Sequence, residues 1–212
     1  MAREVGPAWR VIALDQRGHG ESDRAGEYTR DGYVADAAAV LEHVGLGPAV
    51  VLGHSLGGVN AYQLAARRPE LVRAVVVEDI GAVVDGDLSF AREWPRRAAT
   101  RAGFLAGVGS AAPHLEGSVR EYPDGWGAAF EVEDMVESQR GLNGDHWGTG
   151  CGCGGRRCWC GGSERGAVGG ACAGDDGAEG GGAVGGVAGG TCGAGGGCGG
   201  VFAAVRGFLA RV

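Results

Sequence analysis

Lysine is missing altogether; all 19 basic residues are arginine. With 26 Asp and Glu, the 212-residue chain has a formal net charge of −7. A nucleic-acid binder needs basic patches that neutralise phosphates, so this balance argues against that class of partner. No apolar run approaches the ~18 residues of a membrane span. The opening Met1-Ala2-Arg3-Glu4-Val5-Gly6 lacks the apolar block of a signal peptide. These absences predict an acidic, cytoplasmic protein, long enough for one domain with a buried core. Cysteine is missing from residues 1–150, and all seven cysteines fall between Cys151 and Cys198. Glycine is displaced in the same way: residues 148–200 hold 25 of the 46 in the chain, where the usual share is ~7%. The chain therefore reads as two different texts.

The first text runs to about residue 148. Trp9-Arg10-Val11-Ile12-Ala13-Leu14 is a short apolar run of the kind that forms a strand buried on both faces. The polar loop Asp15-Gln16-Arg17-Gly18-His19-Gly20-Glu21-Ser22-Asp23 follows. Val34, Ala37, Ala38, Leu41 and Val44 then recur at helical spacing, with Asp31 as a candidate cap and Gly45 as a stop. Ala49–Leu52 predicts a second strand, and the helix after it ends before Pro69. Leu71–Val77 predicts a third. Strands alternating with helices predict an α/β fold around a parallel sheet.

The informative turn is Gly53-His54-Ser55-Leu56-Gly57-Gly58, between a buried strand and a helix. Its G-x-S-x-G spacing is that of a nucleophile elbow. A turn this tight needs small residues two before and two after the serine. The serine oxygen then stands above the carboxyl ends of the strands. The helix start beneath it offers backbone N–H groups to a developing oxyanion. Ser55 is thus the candidate nucleophile and the Leu56 N–H the candidate oxyanion donor. The plainer alternative makes Ser55 a turn serine in a non-catalytic relative. His54 reads as a structural member of the elbow, turned away from the oxyanion site.

Residues 9–80 resemble the α/β-hydrolase fold family, in its lipase/esterase-like branch with a cap domain. Three stretches carry the resemblance. Asp15-Gln16-Arg17-Gly18-His19-Gly20-Glu21-Ser22 resembles the family's D-x-R-G-x-G-x-S loop. Gly53–Gly58 resembles its G-H-S-x-G-G elbow, and Leu64-Ala65 with Pro69-Glu70 and Val72 resembles the helix and strand that follow. The resemblance implies hydrolysis of an ester-like or amide-like bond of a small molecule through an acyl-serine intermediate, with no cofactor. Ser55 stands where epoxide hydrolases and dehalogenases carry Asp, which argues against those activities. Asp79 is a possible acid partner or else a strand-end loop carboxylate. Arg17 and His19 brace their loop or touch substrate.

In this reading residues 1–86 form a core fragment and 87–148 a helical cap. Phe90, Trp94, Phe104, Trp126, Phe130 and Trp147 line its pocket or make its own core. Asp124-Gly125 is a turn, and Val132, Met135 and Val136 lie on a helix. The family places three strands and a His-Gly oxyanion loop before the position of Trp9, and its catalytic histidine after a late strand. None of His19, His43, His54, His114 and His146 occupies that place. The resemblance therefore predicts negligible activity for the chain as it stands, and a dead remnant or interaction module is the competing reading.

The second text, residues 149–200, has no leucine, isoleucine, phenylalanine or proline. It cannot bury enough apolar surface to offset its ordering entropy, and it is expected to be disordered. Cys151-x-Cys153 and Cys158-x-Cys160 lack the C-x-x-C spacing of zinc sites, so no metal is expected. Another reading is a shift of frame. When each third base joins the next two, the codons of Cys158, Trp159 and Cys160 spell Leu and then Val. The longer shifted reading permits P-A-L-L-V-R-G-E-R, which resembles the family's penultimate strand. Residues 201–212 resemble its last helix.

Overall fold

In the computed structural model, residues 7–146, 157–161 and 198–211 are described. They fall in two compact units. The first unit comprises residues 1–13, 33–84 and 144–212, and the second comprises 14–32 and 85–143.

The first unit is built on a parallel sheet. Helix α1 (Arg30–Val44) leads to strand β1 (Ala49–His54), helix α2 (Leu56–Arg67) and strand β2 (Val72–Glu78). Thr29 Oγ1 accepts the Gly32 N–H at 3.2 Å, so Thr29 caps α1 in place of the expected Asp31, which sits in the first turn. Gly45 ends α1 as expected, with its N–H on the Leu41 carbonyl at 3.1 Å. Residues Ala74 to Val77 of β2 are all buried, as a strand covered on both faces requires. The two strands run parallel, Val50 against Ala74 through His54 against Glu78. The face of α2 from Gly58 to Ala65 is buried. The Arg68 guanidinium bridges Glu42 and Glu70, tying α1 to the segment after α2.

One expectation fails in this unit, and another is narrowed by five residues. Trp9–Leu14 is not a strand. A strand exists only with a hydrogen-bonded neighbour, and among the described residues this run has none. Val11, Ile12 and Leu14 are instead exposed. The Trp9 ring packs under the Arg73 guanidinium at 5.6 Å. In the stretch expected to be disordered, a short parallel strand pairs with β2, Ala74 against Arg157 through Glu78 against Gly161. The remainder of that expectation, with Cys151, Cys153 and Trp147, lies outside the described residues.

Still in the first unit, strand β3 (Val83–Val84) pairs antiparallel with Gly144–Asp145 of the same unit. The second unit continues with α3 (Arg101–Gly107), α4 (Ala112–Leu115), the hairpin β4 (Val119–Tyr122) and β5 (Gly125–Ala128), and α5 (Val132–Leu142). Gly144–Asp145 is the partner of β3 and is named β6, and Arg157–Gly161 is β7. The chain's last helix, α6 (Cys198–Leu209), starts three residues before its expected beginning. It closes the sheet, where Val205 and Phe208 pack with Ala74 and Val76. The sequence pattern predicts the Asp124-Gly125 turn but not the hairpin that it joins. Phe104 is fully buried with Val108, Val119 and Ala128; Trp94, Trp126 and Phe130 pack around them. These aromatics make a core of their own, whereas Phe90 is exposed. Helix α5 buries Asp134 and Ser138 beside Val136 and Leu142, a more polar face than its apolar residues suggest.

Candidate active site

β1 ends at His54, in register with Glu78 at the end of β2. Ser55 and Asp79 therefore leave adjacent strands at one level. They are the two non-glycine residues with positive φ among the described residues, at 50° and 57°. Side chains rarely adopt this conformation, and such strain gathers at functional sites. The Ser55 N–H donates to the Glu78 carbonyl at 2.9 Å, which bonds the turn to the neighbouring strand. The Ser55 carbonyl accepts the Gly58 N–H at 2.8 Å and opens α2.

Ser55 stands at the N-cap of α2, yet its side chain makes no capping hydrogen bond. Serine at this position ordinarily spends its oxygen on the helix N–H groups. Here Oγ is unengaged among the described residues. Leu56 is the first residue of α2, so its N–H has no acceptor within the helix. The tight turn depends on absent side chains. A Cβ on Gly53 would overlap the Gly57 carbonyl. A Cβ on Gly58 would lie 2.7 Å from Ile80 Cγ2 and 3.0 Å from Val77 Cγ1.

Asp79 Oδ2 lies 4.0 Å from His54 Nε2. The His54 ring is 59% exposed and the carboxylate 29%. No histidine is hydrogen-bonded to Ser55 Oγ among the described residues. His43 and His114 are exposed near the ends of α1 and α4. His146 is buried, with Nδ1 3.3 Å from Gln63 Nε2. Gln63 follows Ser55 by eight residues of helix, roughly 12 Å along the axis. His19 is held by its own loop, Nδ1 on the Arg17 carbonyl at 3.0 Å.

A family model described as alpha/beta hydrolase fold matches residues 1–135. The chain belongs to the α/β-hydrolase family. It is similar to the Mycobacterium tuberculosis lipase LipV, 46% identical over 76 residues, which cover 36% of this chain and 29% of the lipase. It is also 41% identical over 76 residues to 2-(acetamidomethylene)succinate hydrolase of Mesorhizobium japonicum, covering 35% of this chain and 27% of that one. The chain thus matches less than a third of the length of these relatives. Among solved structures, an E-2-(acetamidomethylene)succinate hydrolase superposes with a TM-score of 0.60 at 24% identity, over 70% of this chain and 61% of that chain. A marine microorganism esterase superposes at 0.56 and 17% identity, over 70% and 64%. At these identities the structural likeness speaks for the α/β-hydrolase fold alone.

Within that fold, the second unit holds a polar cluster that sequence patterns did not point to. Arg24 Nε and Nη2 donate to the two carboxylate oxygens of Asp134, each at 2.7 Å. The Tyr28 hydroxyl donates to Oδ2, also at 2.7 Å. The Arg24 guanidinium, seconded by Tyr28, holds the Asp134 carboxyl below the usual carboxylate range against the cost of burial. Burial pushes the Tyr28 hydroxyl up, and the bond to Asp134 adds to it. The three residues lie up to 110 positions apart, so no local motif could have shown them together. No helix among the described residues is long and apolar enough to cross a membrane.

Proposed function

We propose that this α/β-hydrolase chain carries the nucleophile of a cytoplasmic serine hydrolase that cleaves an ester-like or amide-like bond of a small molecule. The Ser55 hydroxyl attacks the carbonyl carbon, the C–O or C–N bond breaks, and the alcohol or amine leaves with the proton that the serine gives up; water then hydrolyses the acyl-serine, releasing the acid and restoring the hydroxyl. The Leu56 N–H stabilises the oxyanion of each tetrahedral intermediate. Gly53, His54, Gly57 and Gly58 shape the elbow. Asp79, on the neighbouring strand end, is the candidate acid. The observation that carries the reading is Ser55 itself: a strained φ of 50° with an oxygen that forgoes its capping bond. A fluorophosphonate probe tests it. Label is expected on Ser55 and absent from Ser55→Ala, and equal labelling of the two proteins would refute the assignment.

A second reading is favoured by one observation, the absence of a histidine hydrogen-bonded to Ser55 Oγ among the described residues. A serine hydroxyl without a base is a poor nucleophile. Loss of a triad member leaves a residual acceleration of order 10³–10⁴ over water. On this reading the 212-residue chain is a hydrolase relative that does not turn over. Turnover of p-nitrophenyl acetate is expected to stay well below ~1 s⁻¹, the lower end of ordinary enzymes. A faster rate would show that one of the five histidines serves as the base.

A further inference from the structure

The loop Asp15–Asp23 in the second unit is held far more firmly than a connection requires. The Gly18 N–H donates to the Asp23 carbonyl, His19 to Gln16, Gly20 to Ala129 and Ser22 to His19, all between 2.8 and 3.0 Å. The Glu21 N–H donates to Asp15 Oδ2 at 3.0 Å, and Ser22 Oγ donates to the Asp15 carbonyl at 2.6 Å. Gly18 and Gly20 both adopt left-handed backbone, with φ of 71° and 58°. A Cβ on Gly18 would lie 2.5 Å from the Tyr28 hydroxyl, the same hydroxyl that Asp134 holds. The loop is thus tied through Tyr28 and Ala129 to the rest of its unit.

All this ordering leaves one polar side-chain atom of His19 unspent. Its Nδ1 lies 3.0 Å from the Arg17 carbonyl. A carbonyl only accepts, so Nδ1 must carry the proton. In the neutral ring Nε2 is then a bare lone pair. Nε2 has no hydrogen-bond partner among the described residues. The ring is half-buried and rests on Phe130, with centroids 5.6 Å apart at 37°.

We propose that the loop presents His19 Nε2 as a pre-set hydrogen-bond acceptor for a ligand hydroxyl flanked by an apolar or aromatic group, the flank resting on Phe130. A pre-organised acceptor spares the ligand the cost of ordering the site. A carboxylate or phosphate ligand is disfavoured, because a lone pair repels an anion. The proposal stands apart from the role of Ser55, and its test needs no turnover.

Imidazole ¹⁵N spectra of the intact chain at pH ~8, where free histidine is neutral, give the first readout. His19 is expected as the Nδ1–H tautomer, with an unprotonated Nε2. A His19 ring in the Nε2–H form, or doubly protonated, would overturn the proposal. Phenol is the probe ligand, and anisole, which lacks the donor, is its control. Phenol is expected to shift the His19 Nε2 resonance at concentrations where anisole does not. It is also expected to slow carbethoxylation of His19 by diethyl pyrocarbonate at least twofold, read on the tryptic peptide Gly18–Arg24. Equal effects of phenol and anisole, or none from either, would overturn it. His19→Gln assigns the resonance; should that variant fail to fold, the peptide readout on the unmutated chain decides alone.

Discussion

At Ser55 the backbone adopts a conformation that serine avoids, and the side chain recovers nothing locally for it. Strain of this kind costs about 1–3 kcal/mol. Glycine accepts the same φ and ψ, at an entropic cost of about 0.5–1 kcal/mol. Ser55→Gly is therefore expected to stabilise the protein by about 1 kcal/mol, read as a higher urea midpoint at unchanged slope. Ser55→Ala keeps the Cβ and the strain, so its midpoint should stay within error of the parent. If Ser55→Gly destabilises, the elbow is not strained and the main support for the nucleophile is lost. At this scale the sequence was readable where spacing encodes geometry. Gly53, Ser55 and Gly57 announce a tight turn, and at Gly53 only glycine leaves room for the crossing backbone. The positive φ of Asp79 and the bond from Ser55 to Glu78 were not legible. They follow from the register of two strands, which no local pattern states.

Among the elements, the tie between α5 and the segment before α1 sets the clearest expectation. Arg24 holds the folded Asp134 carboxyl below its unfolded value. A depressed carboxyl adds stability that is fully present above the unfolded pKa of about 4. That stability is lost as pH falls through the folded value. Asp134→Asn should therefore destabilise the protein at pH 7 and flatten the acid limb of its stability profile. Asp134→Ala should cost about 2–3 kcal/mol at pH 7, since it breaks charge-assisted hydrogen bonds and strips an acceptor from the buried Tyr28 hydroxyl. Urea unfolding at pH 7, 4 and 3 checks both. An acid limb as steep in Asp134→Asn as in the parent would place the titrating group elsewhere. The same helix shows why element faces were only partly legible. Val136 and Leu142 follow the helical period, but the buried Asp134 and Ser138 depend on Arg24, Tyr28 and Arg30, far away in sequence. Trp9–Leu14 fails in the opposite sense: its apolar residues fit a strand, yet a strand needs a partner that its own sequence cannot supply.

For the molecule as a whole, the decisive question is what β7 is made of. The sheet order is β1-β2-β7, so β2 is central and Arg157–Gly161 completes its second side. A strand beside a central strand is usually a run of Val, Ile and Leu. Arg157-Cys158-Trp159-Cys160-Gly161 is not such a run, and nothing in its period announces a strand. The shifted reading of the same codons forces Leu and Val here, at the position where a parallel strand pairs with β2. If residues 149–200 are an out-of-frame reading, the protein made in the cell has an apolar strand in this place. Its digest then contains no peptide Cys158–Arg165, the product of cleavage after Arg157 and Arg165. That absence is the expected outcome, and peptide masses from the native protein check it, with Gly18–Arg24 as the internal control from the unaffected half. Recovery of Cys158–Arg165 at the mass its written residues require would establish the frame as it stands. β7 would then be a strand held by backbone pairing to β2 rather than by an apolar sequence of its own.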